Sequence, residues 1–145
     1  HTGHMWQALT NAITTIAPNG KLFIAIYNNQ GAKSKVWHLI KRIYCSGHIG
    51  KTLISSIFFP VFAATGLIQD ISRIKNPTQR YREYHNKRGM SLYHDWIDWL
   101  GGYPYETATP NEIERFCSER GLCLERQNLT NTLGCNEFLF HNSIN

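Results

Sequence analysis

The turn Pro18-Asn19-Gly20 constrains this chain more than any other feature, because it separates an apolar helix stripe from an apolar strand. Ahead of it, Met5, Trp6, Leu9, Ala12, Ile13 and Ile16 recur at three- and four-residue spacing, the pattern of a helix with one apolar face. The helix has to end at the turn, since proline lacks an amide donor and glycine admits positive φ. After it, Leu22 to Tyr27 is an almost unbroken apolar run rich in Phe and Ile, which suits a strand covered on both faces. The expectation is a helix that feeds a central strand, as in a βαβ sheet, with Asn28 and Asn29 as its polar tip.

The last third of the chain carries the same α/β character. Thr109-Pro110-Asn111-Glu112 places a capping threonine, a proline at the first helical position and a glutamate three residues after the cap. That combination is a capping box with pre-set φ. Ile113, Phe116 and Cys117 supply its buried stripe and Gly121 ends it. Leu122 to Leu129 and Cys135 to His141 read as two strands, and the short link Thr130 to Gly134 makes them an antiparallel hairpin. Asn136 and Glu137 within it read as structural.

Between these regions, residues 33–100 show no strand signal and read as a helical insertion too long to be a simple loop. Val36, Trp37, Leu39, Ile40, Ile43 and Tyr44 form a first helical pattern, and Leu92, Trp96, Ile97, Trp99 and Leu100 a last one before Gly101-Gly102. Thr52 to Gln69 holds no charged residue and approaches the length of a membrane span. It also contains Ser55, Ser56, Pro60, Thr65 and Gly66, and Pro60 is expected to kink a helix there. A buried or lid helix is therefore expected rather than a span. Arg73 to Arg88 is basic and interleaved with Tyr81, Tyr84 and His85, so it reads either as a nucleic-acid face or as an exposed helix with snorkelling side chains; the second is preferred.

A chain of 145 residues with 42% hydrophobic content is one domain or part of one, and can bury a core. Fifteen Lys and Arg against ten Asp and Glu leave a net charge of +5, which permits contact with nucleic acid or an anionic membrane surface without demanding either. Cys45, Cys117, Cys123 and Cys135 form no Cys-x-x-Cys pair, which argues against a zinc knuckle. Nothing at the N-terminus resembles a secretory signal, so the expected setting is cytoplasmic, with reduced thiols. No metal site is expected: His1 and His4 lack nearby Cys or carboxylate partners. His94 and Asp98, at i, i+4, are expected on a solvated helix face.

Five pieces occur in order: His1-Thr2-Gly3, Pro18-x-Gly20-Lys21-Leu22, Ile26-Tyr27-Asn28, Gly101-Gly102-Tyr103-Pro104-Tyr105-Glu106 and Gly134-Cys135-Asn136-Glu137-Phe138. Together they resemble the C-terminal part of a bacterial class I S-adenosylmethionine-dependent methyltransferase with a helical cap. The resemblance implies an α/β fold, the C-terminal half of a Rossmann-like domain, with residues 1–145 a truncated domain and 33–100 the cap. It implies a three-stranded mixed sheet in the order 22–27, 135–141, 122–129, with the far edge of the first strand bare. The family's glycine-rich cofactor loop and ribose-binding carboxylate do not occur in this sequence. The resemblance therefore implies a missing N-terminal half of the same domain and an inactive fragment.

The activity implied is methyl transfer from S-adenosylmethionine to a small, hydrophobic or aromatic acceptor. His1 and Thr2 would lie against the cofactor, and Tyr27 and Asn28 would face the same crevice at the carboxyl end of the sheet. Tyr103-Pro104-Tyr105-Glu106 reads as a pocket wall or a rigid turn. Its two aromatics and one carboxylate make Tyr103 and Glu106 the expected acceptor-side residues, placed near Tyr27 and Asn28. No general base is named by the sequence. Two rival readings are a nucleic-acid methyltransferase or binding module using Arg73 to Arg88, and a non-enzymatic, membrane-associated protein anchored by Thr52 to Gln69.

Overall fold

The computed structural model describes residues 1–74 and 76–142, without the side chains of Pro77, Tyr81, Lys87 and Arg88. In chain order its elements are α1 (Met5–Thr14), β1 (Lys21–Asn28), α2 (Ala32–Tyr44), α3 (His48–Ser72), α4 (Pro77–Arg88), α5 (Leu92–Gly101), β2 (Thr107–Ala108), α6 (Pro110–Ser118), β3 (Leu122–Asn128) and β4 (Cys135–Asn142). They form two compact units: His1–His38 with Pro104–Asn145, and Leu39–Tyr103. Helices thus fill the region expected to be a helical insertion, and the unit boundary falls inside α2.

In the first unit, the turn after α1 works as its residues require. Asn19 takes a left-handed φ of 57°, which asparagine tolerates better than most residues. Gly20 donates its amide to Ala17 O at 2.8 Å, and a Cβ on Gly20 would lie 2.8 Å from that same oxygen. Only glycine fits so close an approach. The chain then enters a four-stranded sheet of order β2-β1-β4-β3. β1 and β4 are antiparallel from Lys21 opposite His141 to Tyr27 opposite Cys135, and β3 and β4 are antiparallel with an irregularity between Leu124 and Arg126. The last strand therefore lies between the other two, as expected.

Two expectations about this sheet are corrected. It has four strands rather than three, because Thr107–Ala108 pairs in parallel with Tyr27 and Asn28. The far edge of β1 is consequently bare only below its tip: among the described residues, 21–26 have no strand neighbour on that side. The other correction concerns burial. β1 is not covered on both faces, since Leu22, Ile24 and Ile26 pack on the core while Phe23 is 64% exposed. The core lies on one side of the sheet, where Met5 and Leu9 of α1 and Ile113 and Cys117 of α6 meet Phe138 and Phe140 of β4.

The expected capping box closes α6. Glu112 N donates to Thr109 Oγ1 at 3.3 Å, and Thr109 N donates to Glu112 Oε2 at 2.7 Å. These bonds, the one from the Thr109 backbone first, hold the Glu112 carboxyl below its ordinary 4.5. A lowered carboxyl pKa contributes stability above the unfolded value and loses it as pH falls through the folded one. Thr109→Ala is expected to cost about 1 kcal/mol near neutral pH. The difference from the parent, read from urea melts, should shrink as the pH is taken below 4.5.

The second unit is helical. Phe59 and Phe62 of α3 pack on Trp96 of α5 at ring-centroid distances of 5.7 and 5.8 Å, and Phe59 meets Tyr93 edge-on. Asn76 caps α4 by accepting from Thr78 N at 3.0 Å, and Ser91 caps α5 by accepting from His94 N at 3.3 Å. α3 runs as one helix through Pro60. Of the expected buried or lid helix, the buried form is corrected: among its residues only Gly50, Ile54 and Asp70 are buried.

Candidate functional site

A cavity of about 410 Å³ lies at the carboxyl-terminal end of β1 in the first unit, and its walls include His1, Thr2, Tyr27, Glu106 and Cys135. Four residues singled out in the sequence thus converge from three segments more than twenty residues apart. Local geometry explains each. β1 ends in Tyr27, whose ring lies 5.8 Å from that of His1 and 5.0 Å from that of Tyr105. β2 pairs beside that tip, so the residue just ahead of it, Glu106, is delivered to the same place.

Glu106 has a second duty. Its Oε1 accepts the Met5 N–H at 3.0 Å, while His4 at the helix N-cap offers no side-chain bond to α1. The carboxylate thus caps the positive end of α1 from outside the helix. His1 is oriented by Pro104, whose carbonyl oxygen lies 2.8 Å from Nδ1. A carbonyl only accepts, so His1 donates through Nδ1.

Tyr105, which the sequence reading did not single out, is buried behind Tyr27. Burial pushes its hydroxyl pKa up, against the opposing effect of a hydrogen bond with Ser34, so it stays protonated at neutral pH. The only signal in the sequence was its place between Tyr103 and Glu106.

Asn28 sits elsewhere. Asn28 is buried, and its amide donates to Thr130 O at 2.6 Å and to Thr132 O at 3.4 Å. It holds the β3–β4 loop and does not line the cavity. Asn136 holds the same loop from the other side by accepting from Thr130 N at 2.9 Å, in keeping with its structural reading. Tyr103 belongs to the second unit and is 37% exposed.

The second unit has its own, larger cavity of about 680 Å³, with Phe62, Leu92, Trp96 and Trp99 as apolar walls. Its polar side includes Asp70, Arg80, Tyr84 and Asp95. Arg80 clasps Asp70 through Nε at 2.7 Å and Nη2 at 2.8 Å, and Tyr84 donates to Asp95 at 2.6 Å. Arg80 and Tyr84 therefore bond to partners within their own unit. Lys75 and the side chains of Tyr81, Lys87 and Arg88 lie outside the described residues. His94 Nδ1 lies 2.6 Å from Ser91 Oγ at the α5 cap. Burial lowers the Lys41 pKa, opposed by Asp98, and its ammonium donates to Trp99 O.

Among the described residues no three His, Cys, Asp or Glu side chains group as a metal site, and none of the four cysteines is in a disulfide. Burial pushes the Cys117 thiol up to about 11. Cys135 is raised as well, by burial and then by Glu137. A raised thiol pKa means less thiolate at a given pH and slower reaction. With an aromatic disulfide reagent at about pH 8, exposed Cys45 and Cys123 should react first, Cys135 about tenfold more slowly, and Cys117 only on unfolding. Early loss of Cys117 would contradict its place in the core.

No glycine lines the 410 Å³ cavity. Its donors fit a small acceptor and a cationic sulfonium, which a carboxylate and aromatic rings stabilise, but there is no backbone cradle for a nucleoside. Comparison with protein-family models, with curated proteins and with solved structures found no match to this chain.

Proposed function

We propose that this chain forms the acceptor side of an S-adenosylmethionine-dependent methyltransferase acting on a small molecule. The observation that carries the reading is the convergence of His1, Thr2, Tyr27 and Glu106 on one cavity at the carboxyl end of β1. Crevices at that end of an open α/β sheet are where such folds bind ligands. The antiparallel β4 between β1 and β3 supports the same reading, since the resembling family orders its last strands that way. The reading assigns the nucleoside of the cofactor to residues outside these 145.

When bound, S-adenosylmethionine supplies an already activated methyl group. The residues here then need only place an acceptor in line and exclude water, which is catalysis by proximity. Tyr27, backed by the buried ring of Tyr105, offers a flat apolar wall to an aromatic or hydrophobic acceptor. Glu106 would supply the negative charge that stabilises a bound sulfonium. An acceptor that keeps its proton needs a base, and the neutral form of His1, with Nδ1 held by Pro104 O, would offer Nε2 for it.

The test uses the whole product of the gene with methyl-labelled cofactor and a panel of hydrophobic and aromatic hydroxy, amino and carboxyl compounds. Label transfer is expected. Glu106→Gln keeps an oxygen for the Met5 N–H but removes the charge, and should lower turnover about tenfold or more. The 145 residues alone should bind the cofactor more weakly than micromolar, that is, by less than about 8 kcal/mol. A whole gene product that neither binds the cofactor nor transfers label would end the proposal.

A further inference from the structure

The outer face of α3 has no evident place in water. Ile49, Leu53, Ile57, Val61, Ile68 and Ile71 follow one another at three-, four- and seven-residue steps, so they share one side of the helix. Each is between 48% and 87% exposed. The stripe runs the length of a 25-residue helix, about 37 Å. Ile74 continues it beyond the helix end, 96% exposed and with a left-handed φ of 53° that a β-branched residue seldom adopts. Contiguous exposed apolar surface of this extent marks an interaction site.

The charge distribution names the partner. Between Leu39 and Tyr103 there are nine Lys and Arg against four Asp and Glu, and outside that unit six against six, so the whole net charge of +5 belongs to the unit that bears the stripe. Arg42, Lys51, Arg73 and Arg82 are exposed there. An apolar helix face within a cationic unit is what binds the headgroup and acyl boundary of an anionic bilayer.

By length and apolar content α3 is able to cross a membrane. Its inner face argues for a different placement. Asp70 is buried in a pair with Arg80, and Phe59 and Phe62 pack on Trp96, all within the same unit. Spanning would strip α3 from these partners and carry Asp70 with it. Lying in the interface plane uses only the face that is already exposed. We propose that the second unit docks on anionic membranes through the outer face of α3, lying flat in the interface. This inference does not depend on the methyl-transfer reading.

The test is flotation of the 145-residue chain with vesicles of phosphatidylcholine, with and without about a third phosphatidylglycerol. The chain should float with the anionic vesicles, much less with the neutral ones, and less at high salt. Ile57→Glu with Ile68→Glu alters two exposed positions and should weaken partitioning about tenfold or more, with an unchanged far-ultraviolet circular dichroism spectrum. Arg42→Glu with Arg73→Glu should abolish the preference for anionic lipid.

Three outcomes would overturn the proposal. The first is binding to neither vesicle by a monomeric, folded chain. The second is self-association that the Ile57→Glu, Ile68→Glu pair abolishes without any vesicle binding, which makes a second copy the occupant. The third is salt-independent insertion that resists alkaline extraction, which makes α3 a span.

Discussion

Phe140→Ala is expected to remove most of the stability of the first unit. Phe140 is fully buried, stacks on Phe138 with ring centroids 6.1 Å apart, and stands opposite Leu22 on β1 and Leu124 on β3. It sits in the middle of the sheet, with strands on both sides to hold the backbone in place. Such a site relaxes little when a ring is deleted, and the truncation should cost about 3–5 kcal/mol. Whole domains hold only about 5–15 kcal/mol. The control is Phe23→Ala in the neighbouring strand, where the ring is 64% exposed and the expected change is within about 0.5 kcal/mol. Urea denaturation of both variants and the parent, followed by circular dichroism, makes the comparison. Equal costs for the two phenylalanines would mean that the core is not on the face described.

The elements readable in advance were those whose signal is periodic or stereochemical. The α1 stripe, the Pro18-Asn19-Gly20 stop, the capping box at Thr109 and the hairpin at 122–141 each rest on several residues that agree, and each is present in the fold. β2 was not readable, because two residues carry no alternation and its pairing is decided by the tip of β1. One-sided cover of β1 was misjudged for a related reason. An apolar run shows that a strand can be buried twice over, and it does not show that a helix is present to bury it. In the site, Tyr27 and Glu106 could be placed by topology, since a strand tip and the segment that returns to it must meet. Asn28 could not: whether an asparagine at a strand end faces a cleft or ties down a loop depends on carbonyls more than a hundred positions away, at Thr130 and Thr132. The bond of Arg80 to Asp70 was equally hidden, because it depends on where Asp70 falls on a helix that the sequence shows only as uncharged up to that point.

Two glycines of α3 are expected to respond to alanine with opposite signs. Helix propensity alone favours alanine at both by about 1 kcal/mol. Gly66 obeys it: a Cβ there meets nothing nearer than the Arg80 side chain at 3.7 Å, ordinary van der Waals contact, and Gly66→Ala should stabilise the second unit by about 0.5–1 kcal/mol. Gly50 does not. A Cβ there would lie 2.0 Å from Ile43 O and 2.5 Å from Ser46 Oγ. That carbonyl is fixed by its own role, accepting Ser46 N at 3.1 Å and Ser46 Oγ at 2.7 Å in the turn from α2 into α3. To admit a methyl group, the end of α2 and the start of α3 must move apart, and the turn loses both bonds. Overpacking of a rigid backbone costs about 1–3 kcal/mol and each lost bond about 1 kcal/mol more, so Gly50→Ala should destabilise by about 3 kcal/mol despite the better propensity. Thermal melts of the two variants decide it. If Gly50→Ala stabilises as Gly66→Ala does, α2 and α3 do not meet in the close corner described, and the placement of the α3 outer face has to be drawn again from that corner.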